Sequence, residues 1–240
     1  MTMTIAWGLT GAGHFLSRSF GVFKKLKTEN NTLKINTFLS SAAEEVIRMY
    51  GLEDELSFIS NGDYLEEVFP ETQQGKSWPK TGRFLLDKYD ALIISPATSN
   101  TVSKIAYGTA DSLVSNAVAQ AVKGGVPVFV VPVDIAGVVV SELPFAIARE
   151  LCQKCENCPP RENCPNDAIL EQIELLKCTG CGICKDVCNC KAIKGGPVEL
   201  KVRDVDTRNV EIMKELEGIT VLEEPEDIIQ AIKKLVIEKS

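Results

Sequence analysis

One histidine, two tryptophans and an aromatic content of 6% make this 240-residue chain poor in rings. Such a composition suits an aliphatic parallel-sheet core and not an aromatic platform for nucleic acid. Surplus positive charge is also missing: 26 Lys and Arg face 33 Asp and Glu, for a net charge of −7. That balance argues against nucleic acid or an anionic membrane as a partner. Long apolar runs are absent too. The longest stretch, 124–140, is broken by Pro127, Pro132 and Asp134, so no membrane span is expected. The opening Met-Thr-Met-Thr-Ile-Ala-Trp lacks the basic segment of a signal peptide. The expectation is a cytoplasmic protein in a reducing setting. Cysteine is missing from residues 1–151 and 191–240, and all nine cysteines fall between 152 and 190.

Eight of the nine are regularly spaced. One run is Cys152-x2-Cys155-x2-Cys158-x5-Cys164-Pro165, the other Cys178-x2-Cys181-x2-Cys184-x3-Cys188. Thiols at i, i+3 and i+6 suit an iron–sulfur cluster wrapped by a tight loop, with the fourth ligand supplied from elsewhere. The spacing therefore predicts two [4Fe–4S] clusters and a protein that handles electrons. Zinc is the alternative, but the third cysteine of each run then has no role. Disulfides fit less well, because nine is odd and no export signal is visible. Cys190 is left over and reads as a shielded free thiol. The pattern is an internal repeat, since Cys164-Pro-Asn-Asp-Ala-Ile169 echoes Cys188-Asn-Cys-Lys-Ala-Ile193. It resembles the bacterial-type two-cluster ferredoxins over about residues 151–197. That resemblance implies one cluster on Cys152, Cys155, Cys158 and Cys188. The other would sit on Cys178, Cys181, Cys184 and Cys164.

The rest of the chain alternates strand and helix signals. Strands are expected over 3–9, 33–39, 91–95, 126–131 and 219–222, with a weaker one near 56–60. Helices are expected over 14–28, from Ser40 or Ser41 to Tyr50, and over 99–107, 112–123, 208–216 and 225–238. Asp111 is the expected cap of the 112–123 helix. Gly51 ends the helix before it. The stretch 61–80, with Gly62, Pro70, Gly75 and Pro79, reads as a loop with a short helical piece. Strands apolar on both faces, alternating with helices, predict an open parallel sheet covered on both sides. The expected fold class is therefore α/β, a Rossmann-like sheet with an inserted ferredoxin-like 2[4Fe–4S] domain. Its domains would be 1–150 with 198–240, and 151–197.

Ligands of such sheets bind beyond the carboxyl ends of the strands. Three loops lie there. Gly8-Leu-Thr-Gly-Ala-Gly13 offers close backbone approach and a helix start to a phosphate; the alternative is an ordinary tight turn. Ser40 and Ser41 offer hydroxyls, or are simply helix caps. Pro96-Ala-Thr-Ser-Asn-Thr101 can hydrogen-bond the edge of a flat heterocycle, or is a polar turn. His14 begins the first helix, where it lines a pocket and passes a proton, or merely packs. Asp134 follows a buried strand and either binds a polar substrate group or caps its loop.

Together these loops resemble the flavoprotein family of phosphopantothenoylcysteine decarboxylases and flavin prenyltransferases. The resemblance is carried by Pro-Ala-Thr-Ser-Asn-Thr, Lys-Ile-Ala-Tyr-Gly-Thr-Ala-Asp and Pro-Val-Phe-Val-Val-Pro within 91–132. It covers 4–148 and, more loosely, 198–238. It implies FMN, with the phosphate side held by Gly11, Ala12, Gly13 and Ser40. Ala97, Thr98, Ser99, Asn100 and Thr101 would meet the flavin. Where the decarboxylases carry a histidine, this chain reads Ser-Ser-Ala-Ala-Glu, and Val133 stands where the prenyltransferases carry an arginine. The sequence is most similar to the archaeal branch of archaeoflavoproteins and acceptor-type dihydromethanopterin reductases. The segments Trp-Gly-Leu-Thr-Gly-Ala-Gly-His-Phe-Leu and Lys-Tyr-Asp-Ala-Leu-Ile-Ile-Ser-Pro-Ala-Thr carry that likeness. The implied activity takes electrons from ferredoxin or a similar donor through the clusters and FMN to 7,8-dihydromethanopterin. His14 would be the catalytic proton carrier. A homo-oligomer, trimer-based or larger, is implied as well. The alternatives are an electron-transfer module without a small substrate and a redox-neutral decarboxylase.

Overall fold

The computed structural model describes residues 3–175 and 177–238. Its centre is a parallel sheet. β1 (Thr4–Leu9) pairs with β2 (Lys34–Leu39) on one side and with β4 (Ala91–Ala97) on the other. β3 (Val68–Pro70) extends the sheet beyond β2, and β5 (Val128–Pro132) and β8 (Ile219–Val221) extend it beyond β4. The spatial order is β3-β2-β1-β4-β5-β8. Succession runs outward from β1 through β2 and β3, then restarts at β4 and runs the other way. The boundary between β1 and β4 is thus the switch point, where adjacent loops diverge and open a crevice.

Both faces of the sheet are buried under helices, as continuous apolar strands require. On one face α4 (Ser99–Ala106), α5 (Leu113–Lys123) and α8 (Asp204–Lys214) pack around Phe38, Phe84, Leu92, Ile94 and Met213. On the other, α1 (Leu16–Glu29), α2 (Ser41–Tyr50), α3 (Glu53–Ile59) and α9 (Asp227–Glu238) pack around Ile5, Trp7, Ile35 and Ile93. Trp7 stacks on Phe23 at 4.1 Å between ring centroids, and its indole N–H donates to the Ser95 carbonyl at 2.8 Å. The indole therefore buries its ring without orphaning its donor. Among the described residues no helix is long and apolar enough to cross a membrane.

Several local expectations change. Residues 56–60 are not a strand but the end of α3, and the third strand lies at 68–70, inside the stretch read as loop. Three residues on an edge strand are too few to print a periodicity. α5 is capped by Ser112, whose hydroxyl accepts from the Ser115 N–H, while Asp111 pairs with Lys104. Gly51 ends α2 in the left-handed region at φ 63°.

The cysteine region departs furthest from expectation. β6 (Val138–Ile147) and β7 (Ile193–Lys201) form an antiparallel ribbon outside the main sheet. Residues 148–192 loop from its end and hold the short helices α6 (Pro159–Glu162) and α7 (Ile183–Asp186). A small apolar cluster gathers there from Phe145, Ile169, Ile173, Cys184, Cys188 and Ile193. Cys152, Cys155, Cys158 and Cys188 line a cavity of about 560 Å³. Cys164, Cys178, Cys181 and Cys184 line a second, tight one. Yet among the described residues no group of three or more Cys, His, Asp or Glu is placed to hold a metal ion. The expected ferredoxin-like 2[4Fe–4S] insertion is corrected accordingly, and with it the iron–sulfur electron relay and the two-cluster cofactor set. The fold is a single Rossmann-like α/β unit carrying a ribbon and loop. Spacing records which thiols are close in sequence, whereas ligation needs them to converge on one centre. Here four of the regularly spaced thiols line each cavity, and two of them accept from backbone amides: Ala168 N–H donates to Cys164 Sγ at 3.3 Å, and Ala192 N–H to Cys188 Sγ at 3.4 Å.

Candidate cofactor and substrate site

The crevice at the switch point is built from the loops after β1 and β4. Thr10, directly after β1, is 1% exposed. Its hydroxyl donates to the Pro96 carbonyl at 2.7 Å and accepts from the Thr98 N–H at 2.9 Å. One side chain thus ties the two loops together across the gap. Gly11 follows, in close contact with the start of α2. A Cβ there would lie 2.5 Å from the Ala42 Cβ, so only glycine lets the β1 loop and α2 meet this closely. Ala12 is buried. Phe15 takes a left-handed conformation at φ 65° immediately before α1, and His14 packs on its ring at 4.0 Å.

Ser40 is an N-cap. Its hydroxyl accepts from the Ala43 N–H at 3.1 Å and fixes the start of α2 beside Gly11. Thr98 caps α4 in the same way, accepting from the Thr101 N–H. Both readings of these hydroxyls therefore hold together. They cap helices, and in doing so they stand at the carboxyl edge of the sheet. Ala97 is fully buried at the end of β4, Thr101 is buried, Thr98 and Ser99 are half-buried, and Asn100 is exposed. The Ser99 hydroxyl bonds to the carboxylate of Asp134, which follows β5.

Glu71 completes the rim. Its carboxylate accepts from the Ser41 N–H at 2.9 Å, from the Ser41 hydroxyl at 3.1 Å and from the Leu113 N–H at 2.7 Å. One anion thereby serves the N-termini of α2 and α5, where the helix dipoles favour negative charge. Behind the rim, Asn36 is fully buried and satisfied, donating to the Tyr89 hydroxyl at 2.6 Å and accepting from the Glu67 N–H at 2.6 Å. Arg83 forks onto Glu67, and this hydrogen bonding holds the Glu67 carboxyl below the usual carboxylate range. Burial pushes the Tyr89 phenol upward.

Of the residues singled out in sequence, the structure brings Gly11, Ala12, Gly13, His14, Ser40 and 97–101 to one edge of the sheet. The cysteines lie in the loop at the ribbon's end, where Cys178 shares a pocket with Ser17 of α1 and with Met49 and Tyr50 of α2. Sequence reasoning missed Thr10 and Glu71. A threonine inside a glycine-rich loop was a usable signal for the first; nothing local marks the second, because its partners are 30 and 42 residues away.

Comparison with known proteins agrees with this geometry. The family described as Flavoprotein matches residues 1–139. A Methanosarcina mazei protein named dihydromethanopterin reductase (acceptor) is 68% identical over 232 residues, spanning 94% of this chain and 97% of that protein. A protein of the same name from Methanocaldococcus jannaschii is 48% identical over 237 residues, spanning 96% of both. Among solved structures, Burkholderia xenovorans DmrB in complex with FMN, described as a cubic protein cage for redox transfer, superposes with a TM-score of 0.64 at 24% identity. That superposition covers 100% of this chain and 98% of the other. The shared fold therefore runs the length of the chain, and among the described residues no separate ferredoxin unit interrupts it. Ferredoxin as the electron donor rested on the clusters, and that expectation is withdrawn with them.

Proposed function

Because the chain belongs to the Flavoprotein family, we propose that it is an FMN-dependent reductase of a dihydropterin, converting 7,8-dihydromethanopterin to the tetrahydro form. It is an oxidoreductase. The observation that carries the substrate is the 68% identity, along nearly the full length, to a protein named for that activity.

The crevice fits FMN on its own terms. The close Gly11–Ala42 approach seats the β1 loop directly against the start of α2, with no room for a Cβ at Gly11. Beside this contact stands the Ser40 hydroxyl, the donor the start of α2 offers to a phosphate once Glu71 has taken the Ser41 N–H and Ser40 itself the Ala43 N–H. Gly11, Ala12, Gly13 and Ser40 would hold that end. Thr98, Ser99, Asn100 and Thr101 would present hydroxyl and amide groups to the polar edge of the ring system, above the buried Ala97 that ends β4. When bound, FMN supplies a two-electron carrier able to deliver hydride to an electron-poor C=N bond.

The chain's own residues orient and exclude. Thr10 fixes the spacing between the two loops, and the N-caps Ser40 and Thr98 set the direction of their helices. His14, at the mouth of the β1 loop, holds the proton that must accompany hydride, since reducing the dihydropterin takes up two electrons and two protons. We further propose a homo-oligomer, in keeping with the cage described for the DmrB structure.

The test is anaerobic. The FMN-loaded protein is reduced fully with dithionite, freed of excess reductant and mixed with 7,8-dihydromethanopterin. Rapid recovery of the oxidised flavin absorbance with one tetrahydro product per flavin is the expected result. Flavin that stays reduced in the presence of excess pterin would refute the reading.

A further inference from the structure

The geometry points to Asp134 as the residue that recognises the pyrimidine ring of the substrate, and this rests on the pterin-reductase reading above. β5 ends at Pro132, and the Val133 N–H still donates to the Ala97 carbonyl at 3.0 Å, so pairing with β4 continues one residue past the strand. Asp134 is the first residue released from the sheet. It emerges at the carboxyl edge, beside the β4–α4 loop proposed to face the flavin. The Ser99 hydroxyl, in the first turn of α4, bonds to Asp134 Oδ2 and aims the carboxylate. The side chain is half-buried.

Its charge is left available. Among the described residues no lysine or arginine pairs with it. The cation that feels its field, Arg203, is committed to Asp206 through two hydrogen bonds of 2.7 Å. Asp134 Oδ1 accepts no hydrogen bond among the described residues, and Oδ2 keeps a second lone pair beyond the one facing Ser99. A tethered carboxylate with two free acceptor positions, at the rim of a ring-binding crevice, suits one chemical class of ligand. That class is a fused pyrimidine with adjacent N–H donors on one edge. The 2-amino-4-oxo ring of a pterin presents such an edge through N3–H and the 2-amino group, and both donors can reach a single carboxylate. Charge-assisted pairs of this kind are the stronger hydrogen bonds and carry geometric specificity. An asparagine at the position would turn one acceptor into a donor facing a donor, which is why a hydrogen-bonding site discriminates sharply.

The experiment compares wild type with Asp134→Asn, both FMN-loaded, on 6-methyl-7,8-dihydropterin and its 2-oxo counterpart 6-methyl-7,8-dihydrolumazine. Flavin content and thermal midpoint are recorded alongside, because a merely structural role would move those. For the variant we expect KM for the pterin to rise roughly ten- to hundred-fold, the scale of a lost hydrogen bond to a charged group. We expect kcat to stay within about threefold, because ring recognition serves ground and transition states alike. The preference of wild type for the 2-amino over the 2-oxo compound should collapse in the variant. An unchanged KM and unchanged preference would overturn the assignment while leaving the reductase reading intact, as would a lowered midpoint or flavin content with KM unmoved. If wild type reduces neither compound, the reductase reading fails. Calorimetric binding of 6-methylpterin then decides Asp134 by itself. Weaker binding in the variant supports the assignment, and equal binding, or none by wild type, overturns it.

Discussion

Replacing Thr10 by valine changes one hydroxyl to a methyl at nearly constant volume, and it removes the tie between the two loops of the crevice. The hydroxyl makes two hydrogen bonds, of 2.7 Å to the Pro96 carbonyl and 2.9 Å from the Thr98 N–H, at a residue 1% exposed. A buried partner left unsatisfied costs about 1–3 kcal/mol, and one that water can reach costs only the net bond, about 1 kcal/mol. The Pro96 carbonyl bears the full penalty. The Thr98 amide is nearer solvent and bears less. The expected loss is therefore about 2–4 kcal/mol, a fall in thermal midpoint of roughly 4–16 °C for a chain of this size. Thr10→Ser is the control: it keeps both hydrogen bonds and loses one methyl, for about 1 kcal/mol. Urea unfolding of both variants, with FMN retention measured after gel filtration, reads stability and site geometry together. Thr10→Val should lose flavin and Thr10→Ser should keep it. If the valine variant comes within about 0.5 kcal/mol of the serine variant, the clamp contributes nothing and the account of the crevice is wrong.

Gly11→Ala drives a Cβ to 2.5 Å from that of Ala42. Calorimetry should show a loss of about 1–3 kcal/mol from overpacking, and FMN titration a weaker affinity. His14→Gln should slow flavin reoxidation by the pterin about tenfold or more without altering flavin content; an unchanged single-turnover rate would remove His14 from the proton path. Glu67 is depressed by the Arg83 hydrogen bond, so the unfolded chain takes up a proton there more readily than the folded one. Its stabilisation is present above the ordinary carboxylate value, about 4.3, and is lost as pH falls through the lower folded value. Acid titrations of wild type and Glu67→Gln should therefore differ at neutral pH and converge at low pH, and parallel curves would contradict the pairing. Asn209 is 2% exposed, and its Oδ1 has no partner among the described residues. Asn209→Leu should raise stability by about 1 kcal/mol in urea melts, whereas a loss of that size would mean the amide is satisfied after all.

The sequence by itself determined the sheet. Runs such as Ala91–Ser95 and Val126–Val131 are apolar on both faces, and only a strand covered by helices on both sides can use them. It also marked the edge where ligands bind, because glycine and small hydroxyl residues just after such strands have few other purposes than turns, caps and close approach. The caps at Ser40 and Gly51 were readable for the same local reason. Tertiary structure decided what depends on partners distant in the chain. β3 is three residues long, and the ribbon of β6 and β7 joins segments some 50 residues apart, so neither prints a periodicity of its own. Thr10 gained its role from a partner 88 positions away, and Glu71 from two helices it does not touch in sequence. The cysteines show the same limit most plainly. A repeat of Cys-x2-Cys-x2-Cys fixes which thiols are near each other along the chain, but whether they converge on one centre is a property of the loops that carry them. Likewise Asp134 is one acidic residue among 33 until β5 and α4 set it, aimed by Ser99, at the lip of the crevice.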